Sequence, residues 1–144
     1  MQPETIFLIG NNLAMVGWIL LVFAPKWRWT QRIVIYGSIP LLLGIAYLFI
    51  IIFSFGDGEG GFGSLEGVQQ LFQNPWMLLA GWLHYLAFDL FVGSWELSNA
   101  QKLDINHFLV IPCLLLTFFF GPIGLLLYFI IRWVHSKKFF HENF

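Results

Sequence analysis

The sequence predicts an all-α integral membrane protein, a bundle of four transmembrane helices with few residues outside the bilayer. The first observation is composition: 58% of residues are hydrophobic and 10% are charged, whereas a soluble domain carries about 25% charged residues. The second is that four continuous apolar segments each approach the roughly 20 residues that a helix needs to cross the hydrocarbon. A membrane β-barrel would instead need alternating strands of about ten residues, so helices are favoured.

The four predicted spans belong to one domain, and the fourth contains two prolines. The spans are residues 6–24, 33–55, 76–95 and 108–133. Pro112 and Pro122 fall in the fourth, and a proline inside a helix removes a backbone hydrogen bond and bends the chain. Lipid cannot satisfy the freed carbonyl. We therefore expect a proline-kinked fourth helix whose kink, near Gly121, faces the bundle interior.

A short amphipathic segment precedes the third span. Between residues 64 and 73, apolar side chains recur at helical spacing opposite a glutamate and three glutamines. Ser64 is a suitable N-cap, and Asn74-Pro75 ends the segment. This pattern predicts an interfacial helix between spans two and three, after a glycine-rich stretch that we expect to be flexible.

Charge and cysteine content exclude several classes of protein. The net charge of −1 provides no basic field for nucleic acid, and the single cysteine, Cys113, excludes an intramolecular disulfide. With four spans, the first and third loops would carry four basic residues, and the opposite side would carry the three at the C-terminus. The positive-inside rule then slightly favours both termini outside.

The third span contains the residues best suited to chemistry. Asp89 lies near its middle, and a carboxylate there costs at least about 2.5 kcal/mol, so it needs a function or a partner. At 100° per residue, Trp82 and Tyr85 share a stripe with Asp89, whereas His84 lies about 140° away on a second stripe that includes Trp95. Asp89 is therefore either a proton donor or acceptor in a dry pocket, or a hydrogen-bonded packing residue.

Other polar residues stand at the ends of the predicted helices. Asn12, beside Asn11, begins the first span, and His107 begins the fourth. Glu66 and Gln70 share one face of the interfacial helix. Each could equally be a cap or a solvated group. His84 and His107 could in principle ligate a haem, but they belong to different helices, so we predict no metal and no other cofactor.

Two long stretches resemble one known family. They are GSLEGVQQLFQNPWMLLAGWLHYLAFDLFVGSW and HFLVIPCLLLTFFFGPIGLLLYFIIR. They resemble the abscisic-acid-deficient-four-like family, which includes the plant plastid protein required to make neoxanthin from violaxanthin. The similarity covers the interfacial segment and the last two spans, somewhat under half of the chain, and its most specific motifs are HYLAFDLFVGSW and GPIGLLLY.

The resemblance implies a cofactor-independent isomerisation in which a carotenoid epoxide opens and an allene forms. This reaction needs an acid near the epoxide oxygen and a base near the vinylic C7 hydrogen. Asp89 would be the acid and His84 the base, with Glu66 as an alternative. The expected substrate-binding residues are Asn12, Gln70, Trp82, Tyr85, Trp95 and His107. The expected partners are membrane lipids and a carotenoid or other isoprenoid, with no nucleic acid.

Two other functions fit the same sequence. One is a non-catalytic pigment- or lipid-binding subunit, as a homo-oligomer or in a larger membrane complex, and the other is a small transporter that uses Asp89. The N-terminus is not typical of a secretory signal or of a plastid transit peptide. We therefore expect a bacterial inner membrane, or a cyanobacterial thylakoid or plasma membrane, where the substrate need not be violaxanthin.

Overall fold

A computed structural model describes residues 2–54 and 60–136, and over these residues the chain is helical with no strand. The helices are α1 (Pro3–Phe23), α2 (Ser38–Ser54), α3 (Leu65–Leu71), α4 (Pro75–Lys102), α5 (His107–Phe120) and α6 (Pro122–Ser136). A π-helical segment, Thr30–Ile35, leads into α2. The all-α class predicted from composition is thus confirmed.

Among the described residues, three helical segments are long and apolar enough to cross a membrane: Pro3–Phe23, Thr30–Ser54 and Pro75–Lys102. They coincide with the first three predicted spans, although the third extends seven residues beyond the predicted end at residue 95. Many large apolar side chains remain exposed on these helices, Phe23 and Phe53 among them. Such a surface is stable in lipid and not in water, so this is a membrane protein.

The short helix before the third span is present where the sequence predicted it. The Ser64 hydroxyl accepts a hydrogen bond from the Gly67 amide at 3.0 Å and caps α3. Asn74 then caps α4 through the Trp76 amide at 2.8 Å, and Pro75 occupies the first helical turn. The first half of the preceding glycine-rich stretch, residues 56–59, lies outside the described residues, so the expectation that the stretch is flexible stays a prediction.

Helix α4 is the centre of the bundle, because α1 packs on one of its faces and α2 on another. Small residues allow this close approach: a Cβ at Gly10 would lie 2.8 Å from Leu83, and one at Gly17 would lie 2.7 Å from Leu90. Glycine at both positions therefore lets α1 approach the leucine side chains of α4 closely. Val34 of the π-helical segment packs against Ser94 on another face of α4.

The fourth predicted span is two helices and not one kinked helix, so that part of the prediction is wrong. At Gly121 the backbone adopts φ +45° and ψ −96°, a conformation that favours glycine, and Pro122 begins a new helix. The new helix folds back along α5, since a Cβ at Gly124 would collide with the backbone nitrogen of Thr117. In one continuous helix these two residues would be about 10 Å apart.

Helices α5 and α6 therefore form a hairpin that enters the membrane and returns. They contain 14 and 15 residues, so they extend only about 21 and 22 Å, short of the roughly 30 Å hydrocarbon core. The hairpin tip, Gly121, lies against Asp89, which stands midway along α4. The hairpin thus reaches only as far as the middle of α4.

The hairpin places the C-terminal end of α6 at the same end of the bundle as the loop after α1 and the turn after α4. We call this the basic end, and the opposite end, with the start of α1 and α3, the acidic end. Five of the seven basic residues of the chain lie at the basic end: Lys26, Arg28, Arg32, Lys102 and Arg132. Lys137 and Lys138 follow α6 in the sequence, outside the described residues. A fourth full span would have divided the seven basic residues four against three between the two sides of the membrane, and this division no longer applies. By the positive-inside rule we now expect the basic end to face the cytoplasm.

Gly124→Ala is expected to destabilise the protein by about 1–3 kcal/mol or more, because the new methyl group overlaps the α5 backbone. Gly44→Ala is the matched control: nothing lies within 4 Å of a Cβ at this position of α2. Alanine there should be neutral or stabilising by up to about 1 kcal/mol. Thermal unfolding in detergent measures both, and equal midpoints for the two variants would contradict the hairpin packing.

Cysteine labelling is expected to place both ends of the hairpin on one side of the membrane. In a Cys113→Ala background, Trp27→Cys and His135→Cys should react with an impermeant maleimide from the same side, and Gln69→Cys from the other. All three positions are exposed. A helix that crossed the membrane completely would instead make residue 135 accessible together with residue 69.

Candidate functional site

The candidate site lies where the tip of the α5–α6 hairpin meets the middle of α4. Asp89 is half-buried there, and a Cβ at Gly121 would lie 3.0 Å from one of its carboxyl oxygens and 3.3 Å from the other. Glycine is thus needed at residue 121 for its backbone angles and for the space that the carboxyl group fills. The buried Oδ2 of Asp89 has no hydrogen-bond partner among the described residues, and an unpaired buried acceptor is costly.

The broken helix exposes backbone carbonyls that the protein itself must satisfy. The hydroxyl of Tyr85, one turn before Asp89, donates to the carbonyl oxygen of Phe118 at 2.9 Å. The Gly121 amide donates to Thr117 at 2.8 Å and closes the last turn of α5. Tyr85 thus fixes the hairpin tip beside the carboxyl group.

Beside the hairpin tip, in the direction of the acidic end, lies a cavity of about 290 Å³. It is lined by Asn11, Ala14, Met15, Trp82, Tyr85, Leu86, Phe118 and Phe119. The indole nitrogen of Trp82 donates to the side-chain oxygen of Asn11 at 2.9 Å, which pairs two polar groups that lipid could not satisfy. The cavity therefore combines aromatic walls with a few fixed polar atoms.

A second, apolar groove of about 430 Å³ continues toward the acidic end between α1 and α4. Its lining residues are Pro3, Glu4, Phe7, Leu8, Pro75, Leu78, Leu79 and Trp82. Trp82 belongs to both spaces, and its ring lies 5.6 Å from that of Phe7 and 5.3 Å from that of Tyr85. We call the groove and the cavity together the α1–α4 groove, which extends from the membrane surface to mid-membrane.

On the other side of Asp89, toward the basic end, polar side chains fill the space between α4 and the hairpin. Glu96 is 0% exposed and accepts a hydrogen bond from the Thr117 hydroxyl at 2.9 Å. The Tyr128 hydroxyl donates to Asn99 at 2.8 Å. Arg132 is 1% exposed and lies 6.0 Å from the Phe129 ring centroid. These groups fix the hairpin against α4, and our sequence analysis did not include them in the site.

His84 and Trp95 lie away from Asp89. The His84 ring is exposed at the bundle surface, stacked on Phe88 at 4.5 Å and 5.7 Å from Tyr47. Trp95 packs on Tyr128 and Phe129 of α6. The residues assigned as acid and base, Asp89 and His84, thus lie on different faces of α4, whereas Trp82, Tyr85 and Asp89 come together as their shared stripe indicated.

The remaining predicted residues are dispersed. Glu66 and Gln70 are exposed on α3, and Asn12 is exposed on α1, where its neighbour Asn11 enters the cavity instead. His107 lies at the basic end, with Nε2 2.9 Å from the Val22 carbonyl oxygen. Within residues 2–54 and 60–136, no three His, Cys, Asp or Glu side chains come together as a metal site would require.

The fold and site define a helical membrane protein with a half-buried carboxyl group at a broken helix and an apolar groove that ends one turn away, at Tyr85. The chain belongs to the ABA DEFICIENT 4-like family, whose model matches residues 5–128. The match extends the earlier resemblance to include α1 and α2. No curated protein and no solved structure matches the chain.

Thr117→Val is expected to destabilise the protein by about 1–3 kcal/mol, because it leaves Glu96 buried with neither oxygen hydrogen-bonded. Thr5→Val, the same change at an exposed position of α1, should alter stability by less than about 0.5 kcal/mol. Thermal unfolding in detergent compares the two variants. A Thr117→Val protein as stable as the Thr5→Val protein would show that the Glu96–Thr117 contact does not hold the hairpin.

Proposed function

We propose that this protein takes a carotenoid or related linear isoprenoid from the bilayer and isomerises its epoxide end group, with Asp89 as the acid–base residue. The observation that carries the proposal is an apolar, aromatic groove whose inner end is lined by Tyr85, one helical turn from the half-buried carboxyl group of Asp89. A soluble substrate would have no route to that position. Family membership supports the proposal through the carotenoid reaction that the resemblance implies.

The shape of the α1–α4 groove suits an extended apolar molecule. Its α1 wall runs from Pro3 to Met15, about 18 Å at 1.5 Å per residue. Phe7 and Trp82 offer flat aromatic faces to a conjugated chain. A polyene in this groove would direct its inner end toward Tyr85 and Asp89.

The reaction is an isomerisation, so protons balance within one turnover. One proton is added to the epoxide oxygen as the C6–O bond breaks and its electrons go to oxygen. The proton on C7 leaves, and the C7–H electrons form the new C6=C7 double bond of the allene. The protonated carboxyl group of Asp89 can serve both steps, since one oxygen donates a proton while the other accepts one.

The surroundings of Asp89 favour this assignment over one that uses His84. Asp89 lies one turn from Tyr85, which lines the inner end of the groove, and Tyr85 holds the neighbouring backbone so that the carboxyl group keeps its position. The ring of His84 contacts Phe88 and Tyr47 on a different face of α4. A base at His84 would therefore have to act on a different molecule.

Expression in a host that accumulates epoxy-carotenoids, with extraction and mass analysis of the pigments, tests the proposal. The wild-type protein should form the allenic isomer, and Asp89→Asn should lower the rate at least about 100-fold. Detergent chromatography and the thermal midpoint establish that the Asp89→Asn protein is folded. His84→Gln separates the two assignments: retained conversion supports Asp89 acting alone, and loss of conversion favours the histidine as base.

A second function, pigment or lipid binding without chemistry, is favoured by the apolar and aromatic lining of the groove. It predicts that an isoprenoid copurifies unchanged and that Asp89→Asn leaves its amount unaltered. Trp82→Ala should reduce copurification under either function, because Trp82 lines both parts of the groove. Conversion that is absent in the wild-type protein while binding persists would select this function.

A further inference from the structure

Helix α1 has two faces, and only one of them packs within the bundle. The face toward α4 consists of the buried residues Gly10, Ala14, Gly17, Trp18 and Leu21. The opposite face carries five exposed residues: Ile9, Asn12, Val16, Ile19 and Phe23. At 100° per residue these five fall within about 80° of one another, so they form one stripe along the helix. We call it the outer stripe of α1.

Asn12 is a polar residue in the middle of this apolar stripe. It is the tenth of the 21 residues of α1, so it lies about 14 Å from the start of the helix and about 17 Å from its end. Both distances place it within the hydrocarbon core. Its neighbour Asn11 accepts a hydrogen bond from Trp82 at 2.9 Å, whereas the Asn12 side chain makes no hydrogen bond to any described residue.

Lipid cannot satisfy the amide group of Asn12. The group has an oxygen that accepts hydrogen bonds and a nitrogen that donates two, and polar groups without partners are costly in hydrocarbon. Asparagine side chains in membrane helices hydrogen-bond to a neighbouring helix for this reason. The partner of Asn12 must therefore offer both a donor and an acceptor at the middle of the membrane.

A second copy of the chain offers this combination at the required depth. The positive-inside rule gives every copy the same orientation, so Asn12 lies equally deep in each. When two copies pair about a two-fold axis along the membrane normal, each residue of the stripe faces the same residue of the other copy. The two amide groups can then donate to each other reciprocally.

The spacing of the outer stripe suits a pair of parallel helices. Its residues follow one another at intervals of three and four, which is the 3.5-residue period of two helices that pack along their length. Ile9, Val16 and Ile19 are β-branched, so they lose little rotamer freedom on packing. None of the five residues lines the α1–α4 groove.

We propose that the protein forms a parallel homodimer through the outer stripe of α1, in which the Asn12 side chains of the two copies hydrogen-bond to each other within the membrane. The dimer accounts for a polar group that α1 would otherwise expose to acyl chains. It holds whether or not Asp89 catalyses a reaction.

Disulfide crosslinking of the full chain in phosphatidylcholine liposomes tests the geometry of the pair. In a Cys113→Ala background, Val16→Cys should form a disulfide with the same residue of a second copy when an oxidant is added. Met15→Cys is the matched control, because residue 15 is exposed at nearly the same depth but lies 100° around the helix. Its yield of crosslinked dimer should be several-fold lower at the same low protein density.

Energy transfer between labelled chains, measured over a range of protein-to-lipid ratios, tests the role of Asn12. Asn12→Leu should weaken dimerisation roughly 3- to 30-fold, whereas Asn12→Gln, which keeps the amide group, should weaken it less than about threefold. The thermal midpoint of the monomer in dilute detergent should not fall in either variant, since Asn12 has no partner within one copy.

Three results would each overturn the proposal. The first is a wild-type chain that stays monomeric at every protein density, which would leave Asn12 to a different membrane component. The second is an Asn12→Leu protein that dimerises as strongly as the wild-type protein. The third is a Met15→Cys protein that crosslinks as readily as Val16→Cys.

Discussion

The break at Gly121-Pro122 is the constraint on which the site depends. A helix interrupted within hydrocarbon exposes backbone groups that lipid cannot satisfy, so the protein must supply partners at that depth. Tyr85 does so through the Phe118 carbonyl, and Asp89 fills the space that a side chain at residue 121 would occupy. The two side chains that stabilise the hairpin tip are thus a carboxyl group and a phenol, which lie close together within the membrane. Either group alone would be unfavourable there.

Helix α4 carries polar side chains along one face and divides their roles by depth. Trp82 and Tyr85 border a space that opens to lipid, whereas Glu96 and Asn99 are buried against the hairpin. Thr117 and Tyr128 each donate a hydrogen bond to one oxygen of these two side chains. The fixed polar contacts lie on one side of Asp89, and the α1–α4 groove lies on the other. The hairpin is therefore held in place next to the carboxyl group, while the space beyond Tyr85 stays open.

The sequence predicted the helical class, the first three spans and the stripe that unites Trp82, Tyr85 and Asp89, since these follow from hydropathy and the 100° helical period. It did not predict the hairpin, because the sequence GPIG at residues 121–124 is compatible both with a kinked helix and with a reversal of the chain. What distinguishes the two is the close packing of Gly124 against Thr117, which only the reversal allows. That reversal brings Glu96, Tyr128 and Arg132 into one interior. Glu96 lies one residue beyond the predicted end of the third span, and the assignment of His84 as base rested on residue type alone.

The half-depth hairpin also gives the protein a tapered cross-section. Within the described residues, five helices share the leaflet at the basic end, whereas α1, α2 and α4 alone pass through the other leaflet, with α3 near its surface. Acyl chains of that second leaflet must cover the hairpin tip. A bilayer accommodates a tapered protein by bending, so copies of this protein should concentrate where the leaflet at the basic end is expanded. Their distribution should therefore depend on vesicle radius as well as on lipid composition.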